Sequence, residues 1–176
     1  TLGRCEVSNR RRPLIYVDSS VLLDLITDEK TLIPGSEVPR GAAAEAILRG
    51  IEEGKAQFAT SALVELEVYA APRVRKNAVL VDQVREALEA RFSDPETMWC
   101  DIDRVVAGQA LDLATEMKPP HAPGHTSSAA DIGHLAAAVR MGCTHFMTTD
   151  QGFPIDTDIR STRIMFPEPV WAAELF

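Results

Sequence analysis

The chain has 176 residues, 45% hydrophobic and 25% charged, a length and balance that suit one globular domain with a sizeable core. No apolar run approaches the ~18 residues of a membrane span, and the first residues lack the apolar stretch of a secretory signal, so the chain is read as cytoplasmic, with no membrane role. A formal net charge of −8 excludes nucleic-acid binding by a simple basic surface unless the acid is concentrated where it holds cations, and it leaves room for a basic protein partner.

Residues 1–13 read as a flexible N-terminal arm, and 14–176 as one domain. The arm carries Arg10, Arg11 and Arg12, the only compact basic run, taken as solvated. Residues 14–17 (LIYV) form a short aromatic and β-branched run, expected as a buried strand. Ser19 or Ser20 then caps a helix carrying Val21, Leu22, Leu25 and Ile26. A loop over 32–40 holds Pro34, Gly35 and Pro39. Residues 41–53 place Ala43, Ala46, Ile47 and Ile51 at helical spacing, with Gly54 as the stop. Residues 56–60 are a second strand. Ser61 caps a helix to about Tyr69, and Pro72 interrupts it. A longer amphipathic helix covers 74–91, and Asp94-Pro95 breaks it.

Residues 98–102 are a third strand and 103–117 a helix. A proline-rich loop follows at 118–126. It holds His121 and His125, but Pro123 prevents the helical pairing of a zinc motif, so both are read as exposed loop residues. A helix over 127–141 ends where Gly142 suits the C′ position. Residues 145–148 are a fourth strand and 164–166 a weak fifth. Strands alternating with helices imply an α/β fold, a single-domain parallel β-sheet of four to five strands flanked by helices. The cysteines, Cys5, Cys100 and Cys143, are odd in number and far apart, which argues against a disulfide framework and for a reducing compartment.

Ligands of open parallel sheets bind beyond the carboxyl ends of the strands. Asp18 and Asp150 fall at two such ends. Taken singly, each has an ordinary explanation as a helix cap or turn former. In the helix after Ser61, at about 100° per residue, Leu63, Leu66 and Ala70 define an apolar face that contains Glu67. Glu65 falls on the opposite, solvated side. A carboxylate in an apolar stripe is costly unless it is paired or binds a metal, so Glu67 is either a metal ligand or half of a salt bridge. Asp131 borders the stripe of Ile132, Leu135 and Val139; an acid early in a helix also suits the macrodipole. His134, a lone histidine beside that stripe, is assigned to packing. Four acids converging on one sheet edge repel, and protons or cations relieve that repulsion. Oxygen-only ligands favour Mg²⁺ or Mn²⁺, which can activate water for phosphodiester cleavage.

These same segments resemble a known family. LIYVDSSVLLDLI resembles the opening of PIN domains, especially VapC-type toxins. TSALVELEV resembles their second motif, with Glu67 as its acid, AADIGHLAAAVRMG the third, with Asp131, and FMTTDQGF the fourth, with Thr148 and Asp150. The motifs run in order from Leu14 to about Phe166. The resemblance implies a helix-flanked parallel sheet, a divalent-metal site and endonucleolytic cleavage of RNA, with homodimers and an inhibitory VapB-like antitoxin as partners. By position, Asp18, Glu67, Asp131 and Asp150 hold the metal, directly or through water, and one of them orients or deprotonates the attacking water. Ser20 and Thr148 bond within the site or to phosphate, or serve only as cap and turn residues. Two other readings stay open. One is a phosphatase or phosphotransferase using Asp18 as nucleophile, by resemblance to haloacid dehalogenase-like proteins, whose motif usually has another Asp two residues on, where Ser20 stands. The other is a non-catalytic module of the same fold that binds RNA or an antitoxin.

Overall fold

A computed structural model describes residues 12–171. Most of the N-terminal arm, including Cys5, Arg10 and Arg11, lies outside the described residues. Arg12 pairs with Glu96 at 3.2 Å.

The elements run β1 (Leu14–Val17), α1 (Ser19–Ile26), α2 (Arg40–Glu52), β2 (Gln57–Ser61), α3 (Ala62–Ala70), α4 (Pro72–Arg75), α5 (Ala78–Phe92), β3 (Met98–Cys100), α6 (Arg104–Glu116), α7 (Ala129–Arg140), β4 (His145–Met147), β5 (Thr157–Ile159) and β6 (Thr162–Met165). Among the described residues the sheet has six strands in the order β3-β2-β1-β4-β6-β5, more than the four to five expected. All pair in parallel except β5, which runs antiparallel to β6. Strand β5 escapes sequence reading because it has three residues and buries only Ile159. The helix expected over 74–91 is two helices. Asn77 accepts the Leu80 N–H at 3.2 Å and starts α5 afresh.

The chain lays β1 at the centre, adds β2 and β3 on one side, then crosses back to place β4 on the other. The sheet therefore changes direction between β1 and β4, where clefts of such folds open. Ile15, Tyr16 and Val17 are fully buried, as a strand covered on both faces requires. Phe146 of β4 stacks on Tyr16 with ring centroids 5.6 Å apart, and Phe153 lies 5.0 Å beyond it. Helices α1 and α2 pack together, as do α6 and α7. Ala136, Ala137 and Ala138 have no exposure and let α7 lie close against its neighbours. Gly142 has φ +70° and ends α7 in the left-handed conformation glycine allows. Cys100 and Cys143 are buried and free. Among the described residues no helix is long and apolar enough to cross a membrane.

Candidate metal centre

Asp18 follows β1 and occupies the N-cap position of α1, yet its carboxylate makes no capping bond. Ser19 and Ser20, expected as alternative caps, sit inside the first turn and point their hydroxyls elsewhere. Ser20 Oγ donates to Asp18 Oδ2 at 2.7 Å, and Thr148 Oγ1 donates to the same oxygen at 2.8 Å. Each hydroxyl is itself fixed by a backbone N–H, Ser20 Oγ by Thr149 at 3.1 Å and Thr148 Oγ1 by Asp150 at 3.0 Å. The result is a carboxylate 1% exposed, with one oxygen doubly bonded and the other, Oδ1, buried without a partner. A buried acceptor left unmade is expensive.

Oδ1 faces Glu67 and His134. Glu67 Oε2 accepts from Ser19 Oγ at 2.5 Å and lies 2.9 Å from His134 Nε2, which is 3.9 Å from Asp18 Oδ1. One ligand atom from each of the three residues falls within 4.8 Å of the others, so together they can hold one divalent cation. The orphaned Oδ1 fits that role, since a cation supplies its missing partner.

Helix α3 presents Glu67 by a face other than the expected one. Val64 and Val68 are buried, whereas Leu66 is 63% exposed. Glu67 flanks the Val64–Val68 face and turns towards the start of α1 and towards α7. Ser61 stands at the N-cap position without a capping bond, and its Oγ lies 2.7 Å from Tyr16 Oη.

Asp131 and Asp150 stand outside the compact group. Asp131 Oδ2 accepts the Ser128 N–H at 2.5 Å while Ser128 Oγ accepts the Asp131 N–H at 3.2 Å, a capping box that starts α7. Asp150 Oδ1 accepts the Gly152 N–H at 2.8 Å and closes a turn. His134, expected as a core or packing residue, is fully buried and is also bonded at both ring nitrogens, with Nδ1 2.8 Å from Tyr16 Oη and Nε2 2.9 Å from Glu67 Oε2. Its partners lie 67 and 118 residues away in the chain, so no local pattern marks it.

Burial pulls the His134 pKa down, but the hydrogen bond to Glu67 and the charges of Asp18, Glu67 and Asp131 outweigh it and raise it above the ordinary imidazole value. The bond from His134 holds Glu67 below the usual carboxylate range, against its own desolvation. Glu67 therefore stabilises the metal-free fold above its ordinary ionisation near about 4.3, and His134 stabilises it below its own near about 6.5. The contribution is lost as pH falls through the lowered Glu67 pKa or rises through the raised His134 pKa. In chelator, the Tm difference between the parent and Glu67→Gln is expected to be largest between about pH 4.5 and 6.5. A difference flat across pH 4 to 9 would show that the two groups are not ion-paired.

Of two clefts, one adjoins the centre through Ser20 and the other lies apart from it. One, of about 320 Å³, is lined by Ser20, Arg40, Arg73, His125 and Asp150 among others. The second, of about 560 Å³, lies between α1, α2 and α5, with Leu22, Leu25, Ile26, Leu48 and Leu88 in it and Arg49 and Arg91 at hand.

No protein-family model matches the chain, and no curated protein does. Solved structures do. A toxin–antitoxin complex from Klebsiella pneumoniae matches with TM-score 0.50 and 18% identity, over 89% of this chain and 99% of that one. VapBC2 from Rickettsia felis, bound to a DNA fragment from their promoter, matches with TM-score 0.55 and 12% identity, over 88% and 99%. FitAcB from Neisseria gonorrhoeae matches with TM-score 0.51 and 18% identity, over 87% and 97%. Identities this low speak for architecture alone, and the architecture spans nearly the whole of both chains: this protein has the α/β fold of the PIN-domain toxins of the VapC type.

Proposed function

We propose that the chain is a divalent-metal-dependent endoribonuclease that hydrolyses RNA phosphodiester bonds in the cytoplasm as the toxin of a VapBC-like pair. The observation that carries this reading is the buried Asp18 carboxylate at the β1–β4 switch point, its Oδ1 open towards Glu67. Asp18 and Glu67 hold Mg²⁺ or Mn²⁺, and Asp131 and Asp150 join through water. Bound there, the cation makes water a stronger nucleophile and stabilises the leaving oxygen. Ser20 and Thr148 lock Asp18 through Oδ2 and so keep Oδ1 aimed at the centre. Glu67, whose side chain is 29% exposed, is the acid of the pair that solvent reaches, and it orients the attacking water. A phosphatase with Asp18 as nucleophile fits less well, because position 20 supplies a hydroxyl already given to Asp18 rather than an acid for the leaving group.

The net charge of −8 is compatible with RNA because cations gather locally. Arg40, Arg73 and His125 share a cleft with Ser20 and Asp150. Arg73 is exposed and held by Glu29 at 2.9 Å, a surface pair weak enough to exchange for phosphate. Arg73→Glu is expected to weaken RNA binding about tenfold at low salt and to flatten its salt dependence by about one unit of log–log slope. An unchanged slope would place the RNA elsewhere. An amphipathic antitoxin segment suits the apolar groove between α1, α2 and α5. A homodimer would cover Met98, Trp99, Ile102 and Val105, apolar side chains exposed on the edge strand β3 and just after it.

The test is cleavage of RNA by the purified chain with added Mg²⁺ or Mn²⁺, alongside Asp18→Asn and Asp131→Asn. Cleavage that persists in chelator or survives both substitutions would sink the carboxylate–metal reading. Tight RNA or antitoxin binding without any turnover would favour the non-catalytic module.

A further inference from the structure

We propose that His134 is a nitrogen ligand of the cation at this centre, and that it makes the site select Mn²⁺ over Mg²⁺. The inference rests on the metal-site reading above and adds the identity of the third donor.

His134 has no solvent exposure, so no water competes for its ring. Nε2 points at the two acids, 2.9 Å from Glu67 Oε2 and 3.9 Å from Asp18 Oδ1. Neighbouring donors of an octahedral cation at metal–oxygen distances of about 2.1 Å sit about 3 Å apart, which the Nε2–Oε2 separation already matches. The opposite ring nitrogen is fixed by a second line of bonds. Nδ1 lies 2.8 Å from Tyr16 Oη, which lies 2.7 Å from Ser61 Oγ. Tyr16 and Ser61 are both fully buried. The tautomer with Nδ1–H donating to Tyr16, and Tyr16 to Ser61, leaves the Nε2 lone pair facing the carboxylates, the arrangement in which a ligating histidine gives its other N–H to an orienting partner. The 2.9 Å contact between Nε2 and Glu67 Oε2 is a hydrogen bond in the metal-free protein, and a cation would replace its proton.

The donor set is then two carboxylate oxygens and one imidazole nitrogen, rather than the oxygen-only set implied by the four acids. Mg²⁺ is a hard ion that takes oxygen and keeps its waters, whereas imidazole suits transition ions. A nitrogen donor therefore tips the site away from Mg²⁺ and towards transition ions, of which Mn²⁺, the weakest binder of the series, is the paramagnetic probe. The competing role for His134 is a fixed imidazolium that neutralises the two acids, in which case it never touches the cation.

Pulsed electron paramagnetic resonance of the full chain loaded with Mn²⁺ decides between them. The expected result is nitrogen modulation on the manganese signal that changes to the ¹⁵N pattern when histidine is ¹⁵N-labelled. His125→Gln, which removes the histidine of the adjoining cleft, should leave that signal intact, and His134→Asn should remove it. Tyr16→Phe should weaken Mn²⁺ binding in calorimetry by about tenfold or more, the usual effect of losing an orienting partner, and weaken Mg²⁺ binding less. The labelled parent protein alone decides the point if either site variant fails to fold. Manganese that binds and is lost in Asp18→Asn, but shows no histidine nitrogen, overturns the ligand role while leaving the nuclease reading intact. Failure of both Mn²⁺ and Mg²⁺ to bind overturns both.

Discussion

Asp18→Asn is expected to lower metal-dependent RNA cleavage by about a thousandfold or more while leaving the metal-free fold as stable as its parent. Asn has the size of Asp, and its carbonyl oxygen can still accept from Ser20 and Thr148, the bonds that hold Oδ2. Its amide then stands where Oδ1 stood, a donor facing Glu67 and His134 in place of an unpartnered acceptor. The substitution removes a buried negative charge that repels Glu67 but attracts His134, so its two effects on the apoprotein oppose each other. Catalysis has no such offset. A bound cation contributes several kcal/mol of transition-state stabilisation, and each ~1.4 kcal/mol is tenfold in rate. Initial rates at saturating Mn²⁺, with melts in chelator, check both halves. A rate within tenfold of the parent would remove Asp18 from the centre. A Tm lowered by more than about 5 °C would mean that the carboxylate is structural, since that shift is over 1 kcal/mol for a chain this long.

The same logic separates Glu67 from Glu65. Glu67→Gln keeps the acceptor for Ser19 but takes a charge from the cluster. Metal affinity should fall by about tenfold or more, the size of one charge-assisted contact of 1.5–3 kcal/mol. Glu65, which has no part in the three-residue group, should be silent when changed to Gln. The reverse ranking in a metal titration would show that α3 is turned differently about its axis.

How much of this centre could be read in advance depended on how local each signal was. Asp18 was legible because a strand end is marked by the apolar run before it, and Asp150 for the same reason. What each carboxylate does there was not. Whether a strand-end acid caps, turns or binds is decided by its hydroxyl partners, and Asp18 meets Thr148 only because β1 and β4 pair. Glu67 was singled out by a stripe of Leu63, Leu66 and Ala70 that the fold does not bury, since Leu66 is 63% exposed and Val64 and Val68 do the packing. A nine-residue helix offers too few apolar positions to fix its register from pattern alone. His134 was illegible for a different reason. Its ring is defined by Tyr16, Ser61 and Glu67, which come from β1, β2 and α3, and only the sheet order brings them to α7. The parallel strands followed from their apolar runs, whereas β5 is a product of the return to β6 and has no run of its own.

Phe146→Ala is expected to destabilise the fold by about 3–5 kcal/mol, the usual range for removing a buried phenyl ring. Phe146 has no exposure and lies between Tyr16 and Phe153, with centroids 5.6 and 5.0 Å away. Against a typical total of about 5–15 kcal/mol, that is a large fraction, and at roughly 2–4 °C per kcal/mol it lowers Tm by about 6–20 °C. The position also tests whether packing and site are coupled. Tyr16 carries one face on Phe146 and its hydroxyl on His134, so a cavity under the ring loosens the group that orients the imidazole. Phe146→Leu restores most of the volume without the flat stacking surface and should cost less than the alanine variant, about 1–2 kcal/mol. If Tyr16 is held chiefly by stacking, the leucine variant recovers stability but not Mn²⁺ affinity. If it is held chiefly by its hydrogen bonds to Ser61 and His134, both recover together. Denaturant melts give the stability and calorimetry the affinity; a loss below 1 kcal/mol for the alanine variant would contradict the packing of β4 against β1 on which the centre is built.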